Sequence, residues 1–237
     1  NLAAQSAEQL SLATVPLVAV LALGSSVGDI GLLTAMGTLP FLLLSLPIGT
    51  LADRMPRQQL MLWGEVLRLI ALLLMLAALH SSQLQMGWLA ALSFVGAIGT
   101  VAFSVATPGL VSDLVPRSAL AEANARLEVA RSIAFASGPA VAGSLVAWAG
   151  GLPTMALAVA LSALAVLALL GLRPAAAPAL AHQPPPRRQL LHEVAEGARF
   201  VSQHALLMPL LVTGALFNLA WFVLQTAFVP YAIRGLG

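Results

Sequence analysis

The stretch GTLADRMPRQQL, Gly49 to Leu60, ends a run of 23 uncharged residues that begins after Asp29. It then places an acid and two arginines, Asp53, Arg54 and Arg57, within five positions. A helix rises 1.5 Å per residue, so about 20 apolar residues cross a ~30 Å hydrocarbon core. The run before Asp53 is long enough for one crossing, and the charged stretch reads as a polar turn leading into the next. That reading makes the protein a membrane protein and supplies a ruler for the rest of the chain.

Other charge-free intervals divide by the same ruler. Glu8 to Asp29 holds one span and Asp29 to Asp53 a second. The 44 residues between Arg68 and Asp113 hold most of two, turning at HSSQLQMG, and the 41 between Arg131 and Arg173 hold two more, turning at GGLP. The 34 residues between Arg199 and Arg234 hold one. The expected helices are 5–24, 28–52, 60–80, 86–111, 124–149, 152–172 and 206–232: an all-α integral membrane fold of seven spans. Pro40, Pro47, Pro139 and Pro209 fall in or at the edges of these helices, which membranes tolerate because neighbouring groups satisfy the freed backbone.

Composition agrees. Of 237 residues, 59% are hydrophobic and 8% charged, against roughly 25% charged in soluble domains. So few charges cannot cover a water-facing surface. Arginine alone supplies the cations, and eleven of them diluted in Leu and Ala make no nucleic-acid patch despite a pI near 10.4. Cysteine is absent, which removes disulfides, zinc–thiolate sites and thiol catalysis. The four histidines are scattered without metal-ligand spacing, and no P-loop or G-x-G-x-x-G occurs, so neither metal nor cofactor is expected. The first residue is Asn and no signal peptide follows, so the chain is expected to have lost its true start.

Arginine orients the chain. Arg54, Arg57, Arg117, Arg126, Arg173, Arg187, Arg188 and Arg199 fall on one side, and Arg234 alone on the other. The positive-inside rule puts the N-terminus and the arginine-rich side in the cytoplasm, across a plasma (inner) membrane. The segment from Arg173 to Phe200 is not a span. It begins as a Pro/Ala-rich linker and becomes amphipathic, with Leu190, Leu191, Val194, Ala198 and Val201 at helical spacing. The expected organisation is a six-helix half over 1–172, a cytoplasmic linker over 173–204 and a further helix over 205–237.

On these residues the chain resembles a known family. Gly49, Leu51, Asp53, Arg54 and Arg57 match the loop 2–3 signature of the major facilitator superfamily, G-x-L-x-D-R-x-G-R-[RK], with Pro56 and Gln58 departing from it. In ARSIAFASGPAVAGSL, Gly138, Pro139 and Gly143 resemble the superfamily's exporter motif G-x-x-x-G-P-x-x-G-G; plain helix packing through small residues is the competing reading. DLVPRSALAEANARLEVARSIA and EVAEGARFVSQHALL are similar to segments of drug exporters related to macrolide-efflux and enterobactin-export proteins. The resemblance implies two six-helix halves around one central cavity, working as a monomer by alternating access. This chain would be the first half plus one helix of the second. Implied partners are a small-molecule substrate, protons and the lipid bilayer. The implied activity is efflux of amphipathic molecules, with lipid or lysolipid transport on the same fold as the alternative.

Ionisable residues inside spans cost roughly 2.5–3.5 kcal/mol each by insertion scales, so each needs an explanation. Glu65 and Arg68 lie three apart on the third span, as do Glu128 and Arg131 on the fifth, and each pair can neutralise itself on one helix face. They read either as structural ion pairs near the cytoplasmic interface or as partners that exchange with Asp53 during transport. Glu8 has no basic residue within several turns, so it is expected to be an unpaired carboxylate: a proton-coupling candidate or a helix-end acid reaching water. Asn218, Trp221 and Gln225 share one face of the seventh span and either line the cavity or bond between helices. GSSVG, Gly24 to Gly28, formally fits the nucleophile elbow G-x-S-x-G, which leaves a membrane-embedded hydrolase using Ser26 as a minor alternative.

Overall fold

The computed structural model describes residues 1–172 and 199–220. Six long helices form the first part: α1 (Leu2–Leu23), α2 (Val27–Ala52), α3 (Arg57–His80), α4 (Met86–Leu114), α5 (Leu120–Ala149) and α6 (Gly151–Gly171). A single 3₁₀ turn, Arg117–Ala119, precedes α5. All six are long and apolar enough to cross a membrane. The chain divides into two compact units, residues 1–180 and 181–237. In the second unit a helical turn over 199–203 leads to α7 (Leu207–Ala220). His204 Nδ1 accepts from the backbone N–H of Leu206 and Leu207, satisfying two groups at its start. The rest of the expected seventh span and most of the linker, 173–198, lie outside the described residues.

The helices extend beyond the apolar intervals. α3 begins at Arg57 rather than 60, α4 runs to Leu114 rather than 111, and α5 starts at Leu120 rather than 124. The ruler counts apolar residues, whereas the backbone ladder continues until something stops it. Pro56 at φ −55° and ψ 124° sets the start of α3. At the other side of the bundle α1 ends on Gly24 at φ 61°, a left-handed cap that favours glycine. Ser26 and Asp29 then form a reciprocal capping box at the start of α2.

α3 packs on α4 and α6, α1 on α5 and α6, and α2 on α4. α4 is the most enclosed, with 56% of its apolar window buried, whereas α2 has 11%. α2 is nonetheless apolar all round, exposing Leu32, Phe41, Leu42, Leu43 and Leu46, as a lipid-facing helix does. Exposed tryptophans stand near both ends of the bundle: Trp63 two turns into α3, and Trp88 and Trp148 at the ends of α4 and α5 on the opposite side. Such belts sit at the two membrane–water interfaces.

The backbones of α3 and α4 approach closely at Gly64 and Gly99. A Cβ on Gly64 would lie 2.7 Å from the Gly99 carbonyl oxygen, and one on Gly99 would overlap the Gly64 carbonyl. Small residues let membrane helices meet in this way. The crossing matters for function because Arg68, one turn beyond Gly64, is thereby brought against α4.

Candidate functional site

Arg68 and Glu65 are buried, at 3% and 1% exposure. Arg68 Nη2 donates to Glu65 Oε2 and to the Ala4 carbonyl oxygen of α1 at 3.0 Å. Ser162 Oγ of α6 donates to the other Glu65 oxygen at 2.7 Å. Arg68 Nη1 lies 3.6 Å from Glu8 Oε2, and its guanidinium stands 5.9 Å from the centre of the Phe103 ring on α4. One arginine thus ties α3 to α1, α4 and, through Glu65, α6. The guanidinium thus faces two acidic side chains, Glu65 and Glu8, inside the bundle.

One expectation is corrected here. Glu8 is not unpaired: its partner, Arg68, comes from another helix, which spacing along α1 cannot reveal.

Glu8 also lines two cavities. The first, about 320 Å³, lies among α1, α2, α3 and α4, and its wall includes Ser11, Leu33, Thr38, Phe41, Arg68, Met75, Ser93 and Thr100. The second, about 500 Å³, is more polar and lies among α1, α2, α4 and α5, lined by Gln5, Gln9, Phe41, Ser104, Glu128, Arg131, Ser132 and Phe135. Both volumes are within the range of small-molecule sites. Glu128 and Arg131 pair at 2.6 Å and are exposed, at the second cavity's edge.

The charged loop does something different. Arg57 Nη1 donates to Asp113 Oδ1 at 2.8 Å and to the Gly109 carbonyl at 3.1 Å, placing a cation at the C-terminal end of α4, where the helix dipole favours it. Gln58 Nε2 donates to the Leu169 and Leu172 carbonyls, each at 2.8 Å, closing the end of α6. The loop therefore fastens three helices at one end. Arg54 is exposed on that loop. Asp53 is the C-cap of α2, exposed, and its carboxylate enters no ion pair among the described residues. No Cβ added at Gly49 would touch a neighbour.

In α5, Ala134, Gly138, Ala142 and Val146 form a buried stripe. A Cβ on Gly138 would lie 2.5 Å from Gln9 Cβ, so this glycine lets α5 approach α1; Gly143 has open space, and Pro139 is exposed. Asn218 donates to the Gly214 carbonyl of its own helix at 2.8 Å, while Trp221 and Gln225 lie outside the described residues. Ser26 spends its hydroxyl on the capping box, donating to Asp29 Oδ2 and accepting from its N–H. Among the described residues no cluster of His, Asp and Glu has metal-site geometry.

Sequence reasoning missed Asp113, Ser162, Phe103 and Ser93 as site residues. The loop's spare arginine was a signal for Asp113; Ser162 and Ser93 sit in apolar helices like many other serines and gave none.

No curated protein matches the chain. The family model described as Major Facilitator Superfamily matches residues 2–237, nearly the whole length. With six apolar spans around a buried charge cluster and two cavities, the chain belongs to the Major Facilitator Superfamily, multi-pass membrane proteins that carry small molecules as secondary transporters.

Proposed function

We propose that the chain supplies the first half of a proton-coupled exporter of amphipathic small molecules, with the helix after the linker opening the second half. One observation carries this reading: Glu8, a carboxylate that shares Arg68 with Glu65, borders both cavities. An acid so placed meets substrate and proton at one point, which is what coupling requires. The drug-exporter branch rests on the motif resemblance of Gly49–Arg57 and Gly138–Gly143.

In this reading Asp53 latches one state of the transporter by meeting a helix N-terminus or an arginine of the facing half. Its charge opposes the dipole end of its own helix, so an external partner stabilises it. Efflux of an amphipathic fluorescent dye from cells tests this in the complete protein. Asp53→Asn keeps size and loses charge, and dye accumulation should rise to the level of cells without the protein while membrane abundance holds. Wild-type efflux in that variant would reduce the loop to a topology signal.

The arginine-rich end faces the cytoplasm. Gln58 is a poor place for a label, since its amide closes α6; Ser118 and Gln83 are exposed in loops at opposite ends. A cysteine at Gln83 should react with a membrane-impermeant thiol reagent in intact cells, and one at Ser118 only after permeabilisation. The reverse pattern would overturn the orientation.

A further inference from the structure

The two cavities run in opposite directions from a shared boundary. Glu8 and Phe41 are the residues that line both. From Glu8 the smaller cavity follows α1 as far as Pro16, about 12 Å at 1.5 Å per residue. Its other walls are the earlier parts of α2 and α4 and the later part of α3, so it lies toward the α1–α2 and α3–α4 turns. The larger cavity runs the other way, past Gln5 and Ser104 toward the start of α5. Phe41 is 44% exposed, so packed core does not seal the boundary.

Their linings suit different chemistry. Leu12, Val15, Leu72, Met75 and Leu92 make the smaller cavity largely apolar, and its Thr34 and Thr38 hydroxyls donate to carbonyls of their own helix at 3.0 Å. In the larger one the side chains of Gln5, Gln9, Ser104 and Ser132 make no hydrogen bond among the described residues. Together they offer donors and acceptors to a polar group. An apolar chain is favoured on one side of Glu8 and Phe41 and a hydrogen-bonding group on the other, within one molecule's length. We infer that the two cavities hold one elongated amphiphile, with a single apolar chain in the smaller and a hydroxyl- or amide-bearing head in the larger, and that the smaller selects by chain length. The inference rests on the transporter reading and narrows its substrate class to single-chain amphiphiles.

Gly37 provides the test. Leu33, Gly37 and Phe41, with Thr34 and Thr38 beside them, form one face of α2, and all line the smaller cavity. A Cβ on Gly37 would meet nothing within 4 Å, and leucine favours helix over glycine, so Gly37→Leu should fold and fill the cavity. Gly37 lies one turn, about 6 Å, beyond Phe41, so a butyl chain stops short of it and a decyl chain does not. Binding of butyl, octyl and decyl glucoside is measured to the purified complete protein in nanodiscs, against free aqueous concentration. Wild type should bind more tightly with each lengthening. Gly37→Leu should leave butyl glucoside within about twofold and weaken decyl glucoside by about fifteenfold or more, the equivalent of two methylenes displaced. Gly37→Ala, which adds one carbon, should lose less. Ser104→Ala/Ser132→Ala should weaken all three glucosides alike, by about tenfold for two net hydrogen bonds. An effect of Gly37→Leu that is equal at every chain length, or absent, would overturn the inference, the smaller cavity then holding a bilayer lipid chain or water. So would a serine pair variant that binds glucosides as wild type does, since the head would then lie elsewhere. Length selection by a protein that moves no glucoside into proteoliposomes keeps the site and refutes transport; glucoside transport indifferent to Gly37→Leu does the opposite.

Discussion

Arg68→Met should be the most damaging single substitution in the membrane-spanning part of the chain. The side chain volume is nearly kept, but Glu65 is left buried at 1% exposure with Ser162 as its remaining partner. Breaking a buried ion pair by removing one member costs about 3–5 kcal/mol. Native proteins are stable by roughly 5–15 kcal/mol, so about a fifth or more of the total is at stake. Thermal unfolding of the purified protein should show a large downward shift, with reduced membrane abundance. The double variant Glu65→Gln/Arg68→Met should recover part of the loss, because Glu65 then carries no uncompensated charge, while Glu8 still lacks its partner. A single variant within about 1 kcal/mol of wild type would mean that water reaches the cluster and that Arg68 does not organise the bundle.

Glu8→Gln should have the largest effect on activity. Arg68 keeps Glu65 as counter-ion, so the fold is expected to survive, whereas the one carboxylate that both cavities share among the described residues is gone. One elementary charge moving across ~100 mV supplies about 2.3 kcal/mol. At 1.4 kcal/mol per tenfold, that sustains a substrate gradient of roughly fortyfold. The variant should therefore lose accumulation altogether, its gradient falling from about fortyfold to none, yet still exchange bound substrate downhill. Glu8→Asp, one methylene shorter, should retain part of the coupling. Unchanged uphill transport in Glu8→Gln would place the coupling acid elsewhere.

How much of this is written in the sequence depends on the link in question. The spans were legible because length and hydropathy follow directly from the thickness of the bilayer. Ion pairs three residues apart, Glu65–Arg68 and Glu128–Arg131, were legible because helical geometry fixes their distance. Contacts between helices were not. In a soluble helix an apolar stripe tells which side faces the core, but α2 is apolar on every side and carries no such signal. Without the rotation of each helix, nothing along the chain joins Glu8 to Arg68 across 60 residues, or Gln58 to the end of α6.

The same limit explains Gly64 and Gly99. As sequence they are two glycines among many; in the bundle they set how closely α3 meets α4, and hence where Arg68 lies. Gln58 makes the converse point. It departs from the basic residue of the family signature, yet it closes α6 through neutral hydrogen bonds. A motif mismatch showed that something differed, and only the structure showed what the substitute does.

The most direct test of coupled export follows protons rather than substrate. Proteoliposomes of the complete protein, loaded with a pH-sensitive dye and given a gradient of an amphipathic substrate but no pH gradient, should show protons moving opposite to the substrate. Glu8→Gln should abolish that proton flux. Substrate movement by the wild-type protein with no accompanying proton flux would contradict the account.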